Sequence, residues 1–256
     1  MSSLPAIAVD IRGASKIYPN GTRALEPVSL SLCEGEFVTI IGPSGCGKST
    51  LLRLIAGLAM PTQGEIVLSQ RFTSSALAYV FQSPTLMPWA TVQANVRLPL
   101  DLAGVAREQA DDTARRALER VSLQDFALSF PRELSGGMQM RASIARALVT
   151  GARLLLMDEP FGALDEINRN RLDTEFAELS KREKLTVLFV THSIYEAVFL
   201  SSRVLVMSSR PGTISGEISI DLPRPRSDTF RGTPEFAAYG AKLSKMLAGA
   251  MQEDAT

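Results

Sequence analysis

At 256 residues and 27.7 kDa the chain can bury one sizeable core, and 45% hydrophobic with 21% charged residues excludes a disordered or coiled-coil protein. Its 27 basic residues balance 27 acidic ones, so no global field draws it to nucleic acid or anionic lipid, and any anion must be held locally. Two cysteines make no disulfide framework, the opening MSSLPAIAVD lacks the features of a signal peptide, and no apolar run reaches the roughly 20 residues of a membrane span, so a soluble cytosolic chain is expected.

Ile7 to Ile11 and Val28 to Leu32 read as short strands; with Gly64 to Leu68 and Ala76 to Phe81 they predict an antiparallel layer. Phe37 to Ile41, Leu154 to Met157 and Thr186 to Val190 are different, being continuous apolar runs rich in branched residues, as parallel strands covered on both faces require. Leu51, Leu54, Ile55 and Leu58 recur at helical spacing just after the first of these. From about 91 to 150 the sequence holds no convincing strand, and Ala110, Ala114, Ala117, Leu118 and Val121 mark a helix, so this stretch reads as a helical insertion. Arg203 to Met207 and Ile214 to Ile220 flank Arg210-Pro211-Gly212, a hairpin signal. Phe236, Tyr239, Leu243, Met246 and Leu247 predict a closing helix. The domain expectation is one α/β unit over 1–230 and a helical tail over 231–256.

The chemistry falls at the carboxyl ends of the apolar runs, where open α/β sheets bind ligands. Gly42-Pro43-Ser44-Gly45-Cys46-Gly47-Lys48-Ser49 fits G-x-x-x-x-G-K-[ST] between a strand and a helix, the phosphate-binding loop of a P-loop nucleotide hydrolase. Its backbone N–H groups would ring phosphate oxygens, Lys48 would reach the β and γ phosphates, Ser49 would ligate Mg²⁺, and Thr50 follows among the nucleotide contacts. Because Cys46 lies inside the loop, nucleotide should shield its thiol from bulky reagents. The run ending in Met157 delivers Asp158 toward the metal and Glu159 toward an attacking water, whose proton it would accept or which it would at least orient.

With Leu134-Ser135-Gly136-Gly137-Met138-Gln139 in the same chain, the sequence resembles the ATP-binding subunit of ABC transporters, over about residues 5 to 226. Ser135 can cap a helix whose N-terminus, with the amides of Gly136 and Gly137, offers a second phosphate surface. The resemblance implies that Tyr18 stacks on adenine, that Gln82 links the metal site to the membrane subunit, that Asp165 lies on the loop crossing a dimer interface, and that His192 is the switch histidine near the γ-phosphate. Met138 and Met140 depart from the polar residues more usual there.

The resemblance further implies a head-to-tail homodimer holding ATP and Mg²⁺ between the loop of one copy and the signature of the other, and no nucleic-acid partner. Motion would pass to separate transmembrane permease subunits through a groove beside Gln82; Trp89 fits either that groove or the core. Leu86-Met87-Pro88-Trp89-Ala90-Thr91-Val92 and Ile220-Asp221-Leu222-Pro223-Arg224-Pro225-Arg226 look like the nitrate, sulfonate and taurine importer subfamily, which includes carriers of pyrimidine vitamin precursors. That implies a peripheral subunit on the cytoplasmic face of the inner membrane, served indirectly by a solute-binding protein. A soluble ABC ATPase without a membrane partner is the alternative.

Overall fold

The computed structural model describes residues 6–72 and 76–252. Its strands are β1 (Ile7–Ile17), β2 (Arg23–Cys33), β3 (Phe37–Ile41), β4 (Gln63–Leu68), β5 (Leu77–Val80), β6 (Leu154–Asp158), β7 (Thr186–Val190), β8 (Arg203–Met207) and β9 (Ile214–Ser219). The helices are α1 (Lys48–Ile55), α2 (Val92–Leu102), α3 (Arg107–Arg120), α4 (Gly136–Leu148), α5 (Glu166–Arg182), α6 (Ile194–Leu200) and α7 (Pro234–Gln252).

Six strands form one sheet in the order β5-β6-β7-β3-β8-β9, parallel except for β9, which returns antiparallel along β8. The apolar runs sit where their composition demands. Phe37, Ile41, Leu155, Met157, Val187 and Phe189 point into a core shared with the helices, while Val38, Ile40, Leu154, Leu156, Leu188 and Val190 enter a second core on the opposite face. The two-residue period of a strand divides each run between the two cores. A smaller antiparallel sheet, β2-β1-β4, covers the second core together with α1.

Two expectations are corrected. The strand at Ala76 to Phe81 does not join the antiparallel layer: β5 pairs parallel with β6, Leu77 opposite Leu154 and Val80 opposite Met157, as the edge of the main sheet. Four residues are too few for a period to separate a partly buried edge strand from an antiparallel one. The opening strands are also longer than expected: β1 runs on past Ile11 through a register shift between Ile11 and Ala14, and β2 begins at Arg23. Between 91 and 150 the described residues are helices α2, α3 and α4 with two short 3-10 turns. Among the described residues no helix is long and apolar enough to cross a membrane.

Candidate active site

β3 ends at Ile41 and α1 starts at Lys48, so the glycine loop is stretched between the sheet and a helix N-terminus. The cap of α1 is Gly47 at φ 107°, with no side chain capping it and no acidic residue in the first turn. A Cβ at Gly47 would lie 2.7 Å from both the Ala24 carbonyl and Leu25 Cδ2, so the loop requires glycine there twice over, for conformation and for space. The uncapped N–H groups and the helix dipole are therefore open to an anion, with no acidic residue in the helix's own first turn. Lys48 is buried, and its Nζ donates to the carbonyls of Gly42 at 2.9 Å and Pro43 at 2.8 Å. An ammonium has three donors, and the third makes only a long contact with Cys46 Sγ at 3.9 Å, which a phosphate oxygen would replace.

The metal question is answered by the neighbouring oxygens. Ser49 Oγ donates to Asp158 Oδ1 at 2.8 Å, and Tyr79 OH donates to Asp158 Oδ2 at 2.9 Å. Burial, reinforced by Asp158, pushes the Tyr79 phenol well above its ordinary value, so it stays a donor and holds the carboxylate in orientation. A hydroxyl and a carboxylate meeting beside a phosphate loop are the hard oxygen ligands Mg²⁺ takes, with phosphates and water completing its shell. The residues present fit that ion.

Glu159 follows directly, at φ 46°, held by its N–H to the Val190 carbonyl at 2.9 Å and by its carbonyl, which accepts from Gly162 at 3.1 Å. Its Oε2 lies 3.2 Å from His192 Nδ1. The turn that carries His192 is pinned from below: Thr191 hydroxyl donates to the buried Glu196 carboxyl, and Ser193 N–H donates to Thr191 Oγ1 at 3.0 Å. Gln82 closes the group, since a methyl placed on Gly162 would sit 3.5 Å from His192 Cε1 and 3.9 Å from Gln82 Nε2. A cleft of about 220 Å³ gathers Tyr18, Ser44, Gly45, Lys48, Ser49 and Glu159. Tyr18 OH lies 3.2 Å from Thr50 Oγ1.

Ser135, Gly136, Gly137 and Asp165 do not line this cleft. Ser135 caps α4, accepting from Met138 N–H at 3.3 Å, and Asp165 caps α5, accepting from Asn168 N–H at 3.1 Å. Hydrogen bonds from the Asn168 side chain and backbone hold the Asp165 carboxyl below its usual range. The two methionines of α4 have a packing reason: Met140 is core and Met138 packs against it. Trp89 is 76% exposed, which removes the core reading. Cys46 contributes backbone to the loop while its thiol is 1% exposed and pushed up by burial, which hides it from bulky reagents even without nucleotide.

One cleft residue had only a turn signal in the sequence. Arg210, on the β8–β9 connection, donates from Nε to the Gly45 carbonyl at 3.1 Å and lines the cleft. Gly212 beside it exchanges backbone hydrogen bonds with the Ala24–Glu26 segment, at 3.1 Å from its N–H to Ala24 and 3.0 Å from Glu26 N–H to its carbonyl.

The ABC transporter family matches residues 25–162, more than half of the chain and the whole stretch from β2 past the acidic pair. The chain belongs to the ABC transporter family. Among relatives of this ABC ATPase, the nitrate import ATP-binding protein NrtD of Synechocystis sp. is 45% identical over 90% of this chain and 90% of its own length. The aliphatic sulfonates import ATP-binding protein SsuB of Bacillus cereus is 44% identical over 90% of this chain and 92% of its own. Among solved structures, the ATP-binding cassette MJ0796, a dimer in a post-hydrolysis state bound to ADP and phosphate, is similar with a TM-score of 0.72 and 32% identity, covering 84% of this chain and all of that one. As an ABC ATPase of this fold, the chain is an ATP hydrolase.

Proposed function

We propose that this chain is the motor subunit of an importer, working as a head-to-tail homodimer on the cytoplasmic face of the inner membrane and driving uptake of a small solute through separate transmembrane permease subunits. The ABC unit would span 1–230, with 231–256 as a helical tail. The observation that carries the dimer is the composition of the cleft. It gathers the phosphate loop, Tyr18 and Glu159 but no residue of 134–139, which supports a second phosphate surface, at Ser135, Gly136 and Gly137, supplied by another copy. The names of NrtD and SsuB support import, of nitrate, sulfonate or a related solute such as a pyrimidine vitamin precursor, delivered by a solute-binding protein. Trp89 is exposed, as a groove for a permease helix would require.

In this reading Tyr18 stacks on adenine, and the amides from Gly42 through Gly47, with Lys48, Ser49 and Thr50, hold the phosphates. Ser49 and Asp158, with Gln82, would hold Mg²⁺, which when bound neutralises charge on the β and γ phosphates. Glu159 accepts the proton of the attacking water, and Asp165 sits where the two copies meet. His192, with Nδ1 at Glu159, serves as the switch histidine beside the γ-phosphate.

Light scattering of the Glu159→Gln variant tests the dimer: MgATP should double the 27.7 kDa mass, and MgADP should not. A monomer at saturating MgATP, with the permease present, would refute the shared site.

Arg210 adds a cation to the phosphate side of the same cleft. Arg210→Gln should weaken ATP binding roughly 3- to 10-fold, the range for an exposed charge-assisted contact, and flatten the salt dependence of affinity. Unchanged affinity and salt slope in equilibrium titration would leave Arg210 as a brace of Gly45 alone.

A further inference from the structure

The nucleotide site occupies the carboxyl ends of β3, β6 and β7; a separate cavity lies at their amino ends. It measures about 570 Å³ and is bounded by the Glu34-Gly35 turn before β3, Arg153 before β6, Leu185 before β7 and the end of α6. Each of the three strands is five residues long. At the rise of a strand that separates the cavity from the phosphate loop by about 16 Å. The volume falls within the range of small-molecule sites.

Four cations converge on this cavity, Arg153, Lys181, Lys184 and Arg224, against one acid, Glu34. None of the four forms an ion pair with a carboxylate among the described residues; Glu34 is engaged with Arg71 at 3.3 Å, and Glu36, whose charge also reaches Arg224, is paired with Arg203 at 2.8 Å. The chain has a carboxylate for every cation, and Arg–carboxylate pairs such as Arg203–Glu36 and Arg97–Asp111 form elsewhere among the described residues, yet these four cations line one cavity without one. Arg224 is the most deeply set. Its guanidinium lies 5.6 Å from the centre of the Phe37 ring and makes long contacts with the carbonyls of Leu200 at 3.3 Å and Gly35 at 3.5 Å. Lys181 Nζ donates to the Arg224 carbonyl at 2.5 Å, which draws the segment after β9 onto α5 and keeps a second positive charge at the rim. Lysines at the end of α5 complement its dipole, but that accounts neither for Arg153 nor for Arg224, which arrive from other elements.

We propose that this cavity is a second anion site, taking a small soluble molecule with two phosphate groups on Arg153, Lys181, Lys184 and Arg224. Four unpaired cations against one acid call for a ligand with more than one negative charge. Guanidinium forks and ammonium groups together are the donors that phosphate oxygens take. The site is independent of the proposed transport role.

The test fills the nucleotide cleft with saturating MgADP and titrates fructose 1,6-bisphosphate into the full-length protein by calorimetry, at low and at physiological salt. Saturable binding at one site per chain is expected, weakened at least tenfold in an Arg153→Ser/Lys184→Ser double variant and falling as salt rises. Both side chains are solvent-facing and neither touches the nucleotide cleft, so the variant should keep the wild-type melting temperature and ADP affinity. Arg224→Lys, which keeps charge but loses the fork, provides a second reading and should weaken binding less than Arg224→Met. No saturable binding up to 10 mM of the probe, a figure set at about the weak end of small-ligand affinity, would overturn the proposal, as would binding indifferent to the double variant. Citrate binding more tightly than the bisphosphate would overturn the phosphate assignment. Binding confined to vesicles of anionic phospholipid would overturn the soluble one.

Discussion

Glu159→Gln should lower ATP turnover by about 10³-fold, the middle of the range for removing a general base, while ATP affinity stays at the wild-type value. The backbone gives the reason for the size. Glu159 sits at φ 46°, a conformation unfavourable for a side-chain-bearing residue, and is kept there by hydrogen bonds to Val190 and Gly162. That strain fixes the carboxylate at the end of β6, one residue beyond Asp158 and 3.2 Å from His192 Nδ1. Glutamine has the same shape and can still accept from His192, so the substitution removes proton acceptance and little else. Single-turnover phosphate release separates this from slow product release: the base role predicts loss of the first turnover itself. A variant with a normal first turnover and a slowed steady state would take Glu159 out of the chemistry. The acid pair stands on the strand end that contacts Ser49 and Tyr79, so binding and chemistry can fail separately.

Much of this site was legible in the sequence because its motifs are local. The loop from Gly42 to Ser49, the Asp158-Glu159 pair and the Ser135 cap each act within one turn or one strand end, and residue type with spacing fixes them. Burial of the three apolar runs on both faces was legible for the same reason, since composition alone reports it. What could not be read was which elements become neighbours. β8 lies beside β3, and that adjacency carries the β8–β9 turn onto the phosphate loop, so Arg210 and Gly212 gain their contacts from sheet order. Tyr79 reaches Asp158 only because β5 pairs with β6 in the main sheet, where the short run had pointed to the antiparallel layer. The four cations of the second cavity come from the start of β6, from the end of α5 and beyond it, and from the segment after β9, and no spacing rule links them.

The hairpin turn makes a claim that a single methyl can test. Gly212 packs so closely on the phosphate loop that a Cβ there would overlap the carbonyl oxygen of Cys46 and approach Met207 Cε to 2.8 Å. The Met207 methyl ends a flexible side chain and can turn aside, but the Cys46 carbonyl is backbone inside the loop and cannot. Gly212→Ala must therefore push the turn away from the loop or deform the loop. Overpacking of this kind costs about 3 kcal/mol, or roughly 6 to 12 °C in melting temperature for a chain of this length. ATP affinity should fall with it, because Cys46 sits between Gly45 and Gly47 and its displacement misaligns the amides that would ring the phosphates. Gly249→Ala in α7 is the matched control: nothing lies within 4 Å of its Cβ, and alanine in a helix interior should hold or slightly raise the melting temperature. If Gly212→Ala melted with the wild type and bound ATP as tightly, the β8–β9 turn would be a bystander, and Arg210 would lose the support that sets it over Gly45. If stability fell but affinity in the folded fraction did not, the turn would serve the fold without shaping the loop. The close packing of Gly212 on Cys46 and the bond from Arg210 to Gly45 require both to fall together, since one short turn provides both contacts.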